Sequence, residues 1–155
     1  MDYLYPPFWI LLIILIILGC ISIGFHKLSF ADIQIIIMTT ALGFASDMLL
    51  CKQFGQYYFV AKNYRGWYSF WACVGMNPAL ALIYIKLLPK KRIRLIFYIG
   101  LWSLALTLLE LFIALPYGIV HYPRWRILPW SPILYIVVFI WEYIYYKWLK
   151  KNLNY

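Results

Sequence analysis

Acidic residues are scarce in this chain. Five Asp and Glu stand against 14 Lys and Arg, and charged residues of both signs make up only 12% of the 155 positions. So little charge excludes a solvated disordered chain, and it leaves too few ionic groups to cover a water-soluble globule. Cysteine is sparse as well. Cys20, Cys51 and Cys73 are an odd number with no CxxC pair, so neither a disulfide framework nor a zinc cluster is implied. The two histidines, His26 and His121, fall on opposite sides of the membrane expected below, which excludes a shared metal site. No Gly-rich phosphate loop, nucleophile elbow or HExxH motif occurs. No metal ligand, cofactor or catalytic residue is therefore assigned. Five spans do not divide into two equal halves, so the internal repeat common in transporters is missing too.

What the chain does contain is apolar: 66% hydrophobic residues, 21% of all positions being aromatic. That composition describes an integral membrane protein of the cell membrane. An apolar helix needs roughly 20 residues to cross ~30 Å of hydrocarbon. Five such spans fit, at about 8–25, 30–50, 67–88, 94–115 and 131–149. The expected fold is an all-α bundle of five transmembrane helices forming a single domain over 1–155, with no length left for a soluble domain. No Lys or Arg precedes the first apolar run and no small-residue cleavage site follows it, so it reads as an uncleaved span. Ser29 and Asp32 have capping-box spacing and predict the start of the second helix. Asn77–Pro78 predicts a bend in the third, because proline removes a backbone donor. The stretch 51–66 reads as loop.

Positive charge gives an orientation. With the N-terminus outside, the inner side holds Lys27, Lys86, Lys90, Lys91, Arg92, Arg94, Lys147, Lys150 and Lys151, against Lys52, Lys62, Arg65, Arg124 and Arg126 outside. The bias favours N-terminus outside and C-terminus inside. Anionic lipid headgroups, rather than nucleic acid, are the expected counter-charge to a formal +9.

The acids are then informative. Counting ~1.5 Å per residue, Asp47 lies ~27 Å from Ser29 along the second helix and Glu110 ~24 Å from Arg94 along the fourth. Both sit near the outer face. Gly100, Ser103, Thr107, Glu110 and Ala114 share one helical stripe that is expected to face other protein. A polar pocket is predicted from Asp47, Glu110, Thr107, Ser46, Tyr122, Arg124, Trp125 and Arg126. In the favoured reading each carboxylate pairs with an outer-loop Arg or Lys and pins that loop. In the sharper one, a close acid pair binds a cation, a proton or a polar headgroup. Glu142 is expected to be a separate structural glutamate, and Lys86 to snorkel to the inner interface. The outer aromatic residues read first as an interfacial belt, and alternatively as a platform on which Arg and His hold a phosphate while the rings pack against a lipid or sugar.

The string from Thr39 to Asp47, Gly75-x-x-Pro78, Leu88-Pro89, the intramembrane Glu110 and Tyr122-x-x-Trp125 before Ser131 resemble a family of small uncharacterised membrane proteins. That family is found mainly in spore-forming Gram-positive bacteria. The resemblance implies five helices and draws attention to Asp47, Glu110, Tyr122 and Trp125; it implies no reaction. This chain has Asn77 where the family tends to place an aromatic before the proline. The expected function is a non-enzymatic membrane component whose outer pocket clamps loops or binds a lipid headgroup or a partner helix. The alternatives are a subunit of a small transporter or channel, and a lipid-modifying enzyme using Asp47 and Glu110. Expected partners are the anionic bilayer and another membrane protein or further copies of the chain.

Overall fold

A computed structural model describes residues 4–26, 28–60, 66–89 and 92–152. Five helices are long and apolar enough to cross a membrane: α1 (Pro6–His26), α2 (Phe30–Gln53), α3 (Trp67–Lys86), α4 (Ile93–Ala114) and α5 (Ile127–Asn152). In α1 the row Phe8, Leu12, Leu15 is buried while Ile10, Ile13, Ile17 and Ile21 face outward. A helix that is apolar on both its packed and its open faces is suited to hydrocarbon outside and protein inside. Its Gly19 lets α1 lie close on α3, since a Cβ there would stand 3.3 Å from the Ala79 Cβ.

The start of α2 follows the capping expectation. The Asp32 backbone N–H donates to Ser29 Oγ at 3.3 Å, and Asp32 Oδ2 accepts the Ser29 N–H at 2.6 Å. The helix runs on to Gln53, three residues past the expected end, because its last seven residues, Asp47–Gln53, adopt the wider π form. Gly55, at φ +60, then turns the chain, and the Gln56 N–H reaches the Leu50 carbonyl at 2.8 Å. Where a bend was expected at Asn77–Pro78, α3 contains the π segment Ala72–Met76, with the Asn77 N–H bonded to the Ala72 carbonyl. The widened turn is separated only by Asn77 from Pro78, which has no N–H to donate. A third π segment, Glu110–Ala114, ends α4. A Schellman closure follows: Gly118 at φ +61 places the Ile119 N–H on the Ala114 carbonyl at 2.8 Å. Helix α5 begins at Ile127, ahead of the expected 131, with a non-helical Leu128 before the cis Pro129.

The stretch 51–66 is more than loop. Beyond the end of α2, Tyr58 and Phe59 pair antiparallel with His121 and Val120, joining the α2–α3 and α4–α5 connections into one short ribbon. The Tyr5 hydroxyl donates to the Tyr117 carbonyl at 2.5 Å and ties the start of α1 to the same end. This is called the ribbon end below.

Helix α3 is the centre of the bundle, with α1 and α2 packed on it, while α4 packs principally on α5 and α5 also meets α2 and α3. At the end opposite the ribbon, Lys86 Nζ lies 2.5 Å from Asp32 Oδ2, with the two side chains 7% and 0% exposed. Lys86 was expected to snorkel; instead, the antiparallel α2–α3 pair brings the last turn of α3 beside the first turn of α2, where an anion is already held. The small stripe on α4 is also corrected. Ser103, Thr107 and Ala114 are buried, but Gly100 is open, with nothing within 4 Å of a Cβ built on it, while Leu106 is packed in the core. The packed row runs through Leu95, Ile99, Ser103 and Leu106, because α4 meets α5 there and Ser103 Oγ donates to the Pro132 carbonyl at 2.8 Å. Of the residues used for the charge bias, Lys27, Lys62, Arg65, Lys90 and Lys91 lie outside the described residues.

Candidate functional site

Each of the three π segments contributes to one cavity of about 400 Å³, enclosed by α2 and α3 on one side and α4 and α5 on the other. π-Bulges are rare and frequent at functional sites. Here Asp47 opens the first, Asn77 follows the second and Glu110 opens the third, and all three residues line the cavity. Gly43 makes room for one of them: a Cβ at that position would stand 2.5 Å from Asn77 Nδ2.

The carboxylates are held by tyrosines. Glu110 Oε1 accepts the Tyr122 hydroxyl at 2.9 Å and also the Tyr135 hydroxyl. Asp47, only 4% exposed, takes the Tyr57 hydroxyl. The Tyr57 and Tyr122 rings lie 6.3 Å apart, so two tyrosines flanking the paired strands of the ribbon connect the two acids. Burial first, and the adjacent carboxylate second, push the ionisation of Tyr57 and of Tyr122 well above the ordinary phenol range. Both remain neutral donors, which is the state that a carboxylate can use.

Of the outer-loop cations expected to clamp the acids, Lys62 and Arg65 lie outside the described residues, and Arg124 and Arg126 do not reach Asp47 or Glu110. Among the described residues the ion pair is Lys86 with Asp32, at the far end of the bundle. Arg124 and Arg126 are exposed and line a neighbouring hollow instead. The tyrosines occupy the acids first because the ribbon delivers Tyr57 and Tyr122 inward. Trp125 lines the cavity and donates Nε1–H to Ser131 Oγ at 3.0 Å. Ser46 sits at the exposed rim. Thr107 is buried but donates its hydroxyl to the Ser103 carbonyl at 2.8 Å and is not part of the lining. Glu142, expected to be separate, lines the same cavity and is 4% exposed. It follows Tyr135 by seven residues, two helical turns, and so shares its face.

Each acid keeps one oxygen free. Asp47 Oδ1, Glu110 Oε2 and Glu142 Oε2 are buried without a hydrogen-bond partner among the described residues. Among the described residues no Lys, Arg or His lines the cavity, although the chain carries a formal charge of +9. The remaining wall is aliphatic and aromatic, including Leu80, Leu106, Leu134, Val138 and the rings of Tyr57, Tyr122 and Tyr135. No three His, Cys, Asp or Glu side chains among the described residues converge as metal ligands.

No protein-family model matches the chain, and no curated protein or solved structure is significantly similar to it. The four residues singled out in the sequence, Asp47, Glu110, Tyr122 and Trp125, nevertheless line one space. Sequence reasoning missed Tyr57 and Tyr135 as partners of the acids. Tyr135 carried a signal, being on the Glu142 face of α5; Tyr57 carried none, because its position depends on the pairing of two distant loops.

Proposed function

We propose that this chain is a non-enzymatic membrane-embedded binding protein whose cavity takes an organic cation with an apolar body. The observation that carries this is a greasy cavity bordered by three carboxylates, each with a buried oxygen that has no hydrogen-bond partner, and by no basic residue among the described residues. A carboxylate out of water costs several kcal/mol unless it is protonated or meets a counter-ion. An alkylammonium supplies that charge, its chain lies against the leucines and valine, and tyrosine faces add a cation–π attraction. A volume of about 400 Å³ is within the range of small-molecule sites. Binding is favoured over acid–base catalysis because Asp47 and Glu110 hold neutral tyrosines rather than an activatable nucleophile.

In this reading the five helices span the membrane with the N-terminus outside. The ribbon end then lies at the outer face, in keeping with the excess of Lys and Arg at the opposite end, and the cavity is reached from outside. Glu142, ~10 Å beyond Tyr135 along α5, borders its far end.

The test is equilibrium binding of decyltrimethylammonium to the protein in phosphatidylcholine nanodiscs, followed by tryptophan emission. Saturable binding is expected, weakened about tenfold or more by Asp47→Asn or Glu110→Gln, the scale of one desolvated charge interaction. Binding that is non-saturable, or unchanged by both substitutions in folded protein, refutes the proposal.

A further inference from the structure

The mouth of the cavity carries charge of the opposite sign. We infer that the preferred occupant is a zwitterionic single-chain amphiphile, its anionic group on Arg124 and Arg126 and its ammonium beside Asp47 and Glu110. This rests on the cation reading above and names the ligand class more closely.

Arg124, Arg126, Gln56, Trp125, Trp130 and Leu50 line a hollow of about 510 Å³. Leu50 and Trp125 also line the acidic cavity, so the two spaces adjoin across those side chains. The hollow is a built feature. The Arg124 backbone N–H bonds to the Gln56 carbonyl at 3.4 Å, joining its two sides, and the Trp125 indole is fixed on Ser131. Neither guanidinium is paired with a carboxylate among the described residues, although two acids lie just inside. Tyrosines hold those acids, which leaves both guanidinium groups available to an anion. Arg presents a planar fork of donors suited to phosphate, sulfonate or carboxylate.

The order of groups along the space selects the ligand. Basic groups come first, at the mouth. The acids on α2 and α4 follow, next to Tyr57 and Tyr122. Leu106, one turn back along α4 from Glu110, and Val138, about one turn beyond Tyr135 on α5, then continue away from the ribbon end. An amphiphile whose ammonium lies between a terminal anion and an alkyl chain matches that order. One whose amine is terminal, beyond the phosphate, would place its charges in reverse.

The probes are decyl dimethylammonio-propanesulfonate, decyltrimethylammonium and decyl sulfate, which share a chain and differ in charge. In phosphatidylcholine nanodiscs the zwitterion should bind about tenfold more tightly than the cation, the scale of one added charge-assisted hydrogen bond. Arg124→Ala/Arg126→Ala should abolish that preference while the cation's affinity stays within about twofold or rises, since two repelling charges are gone. The inference is overturned if the cation binds as tightly as the zwitterion in the unaltered chain, or if the preference survives the double substitution. It is equally overturned if decyl sulfate matches the zwitterion, which would make the hollow a plain anion site. Cation binding with no zwitterion preference sinks this inference alone, whereas failure of all three probes to saturate sinks the cavity reading with it.

Discussion

Replacing Lys86 by Met should destabilise the bundle far more than a change at a helix end ordinarily does. Lys86 and Asp32 meet at 2.5 Å with 7% and 0% of their side chains exposed, so the aspartate cannot recover water when the ammonium is removed. Removing one member of a buried pair typically costs ~3–5 kcal/mol. Asp32 still receives the Ser29 backbone N–H and the Ser29 hydroxyl, at 2.6 and 2.7 Å, so the lower end of that range is expected here. The loss should therefore be ~3 kcal/mol, more than a hundredfold in the folding equilibrium. Lys86→Met combined with Asp32→Asn removes both charges and should recover most of it, because a neutral amide tolerates the site that a lone carboxylate does not. The assay is SDS-driven unfolding in mixed micelles followed by tryptophan emission, arranged as a double-mutant cycle. A Lys86→Met variant within ~0.5 kcal/mol of the unaltered chain would refute the reasoning, since a buried pair cannot lose one charge so cheaply. So would a double variant as unstable as the sum of the singles.

Gly43→Leu should sharply lower folded yield in detergent, because even a Cβ meets Asn77 Nδ2 at 2.5 Å, while Gly100→Leu, with open space around it, should be tolerated. Leu106→Ala should cost ~2–3 kcal/mol in the SDS unfolding assay, as a buried leucine truncated to leave a cavity does. Tyrosine ionisation followed by ultraviolet absorbance should leave Tyr57 and Tyr122 unionised at a pH where exposed phenols have titrated. Their raised values mean that the stability they contribute is fully present below pH ~10 and is lost as pH rises through the folded-state values. Tyr57→Phe and Tyr122→Phe should each remove one slow-titrating phenol from that signal; unchanged curves in both would mean that neither is buried against its acid.

The helices were legible because hydrocarbon length and apolar runs are local properties. The capping box at Ser29 and Asp32 was legible for the same reason: three residues of spacing specify it. What distance along the chain conceals was not legible. Asp32 and Lys86 are 54 positions apart, and only the antiparallel packing of α2 on α3 makes them a pair. The ribbon of Tyr58–Phe59 with Val120–His121 brings Tyr57 and Tyr122 to Asp47 and Glu110, and two residues per strand leave almost no periodic signal. The stripe on α4 misled at Gly100 because small size marks an interface only where another helix approaches. Asp47 and Glu110 were identifiable as costly residues in apolar segments. That Glu142 shares their cavity depended on which face of α5 turns inward.

The most direct test is to locate the occupant. A decylammonium probe carrying a diazirine near its nitrogen, photoactivated in nanodiscs and mapped by peptide mass spectrometry, should label the cavity wall at Tyr57, Tyr135 or Leu134. Labelling should be competed by decyltrimethylammonium and lost in Asp47→Asn/Glu110→Gln. Labelling confined to the outward faces of α1 and α4, at residues such as Ile13 and Phe97, and indifferent to the two acids would contradict the account.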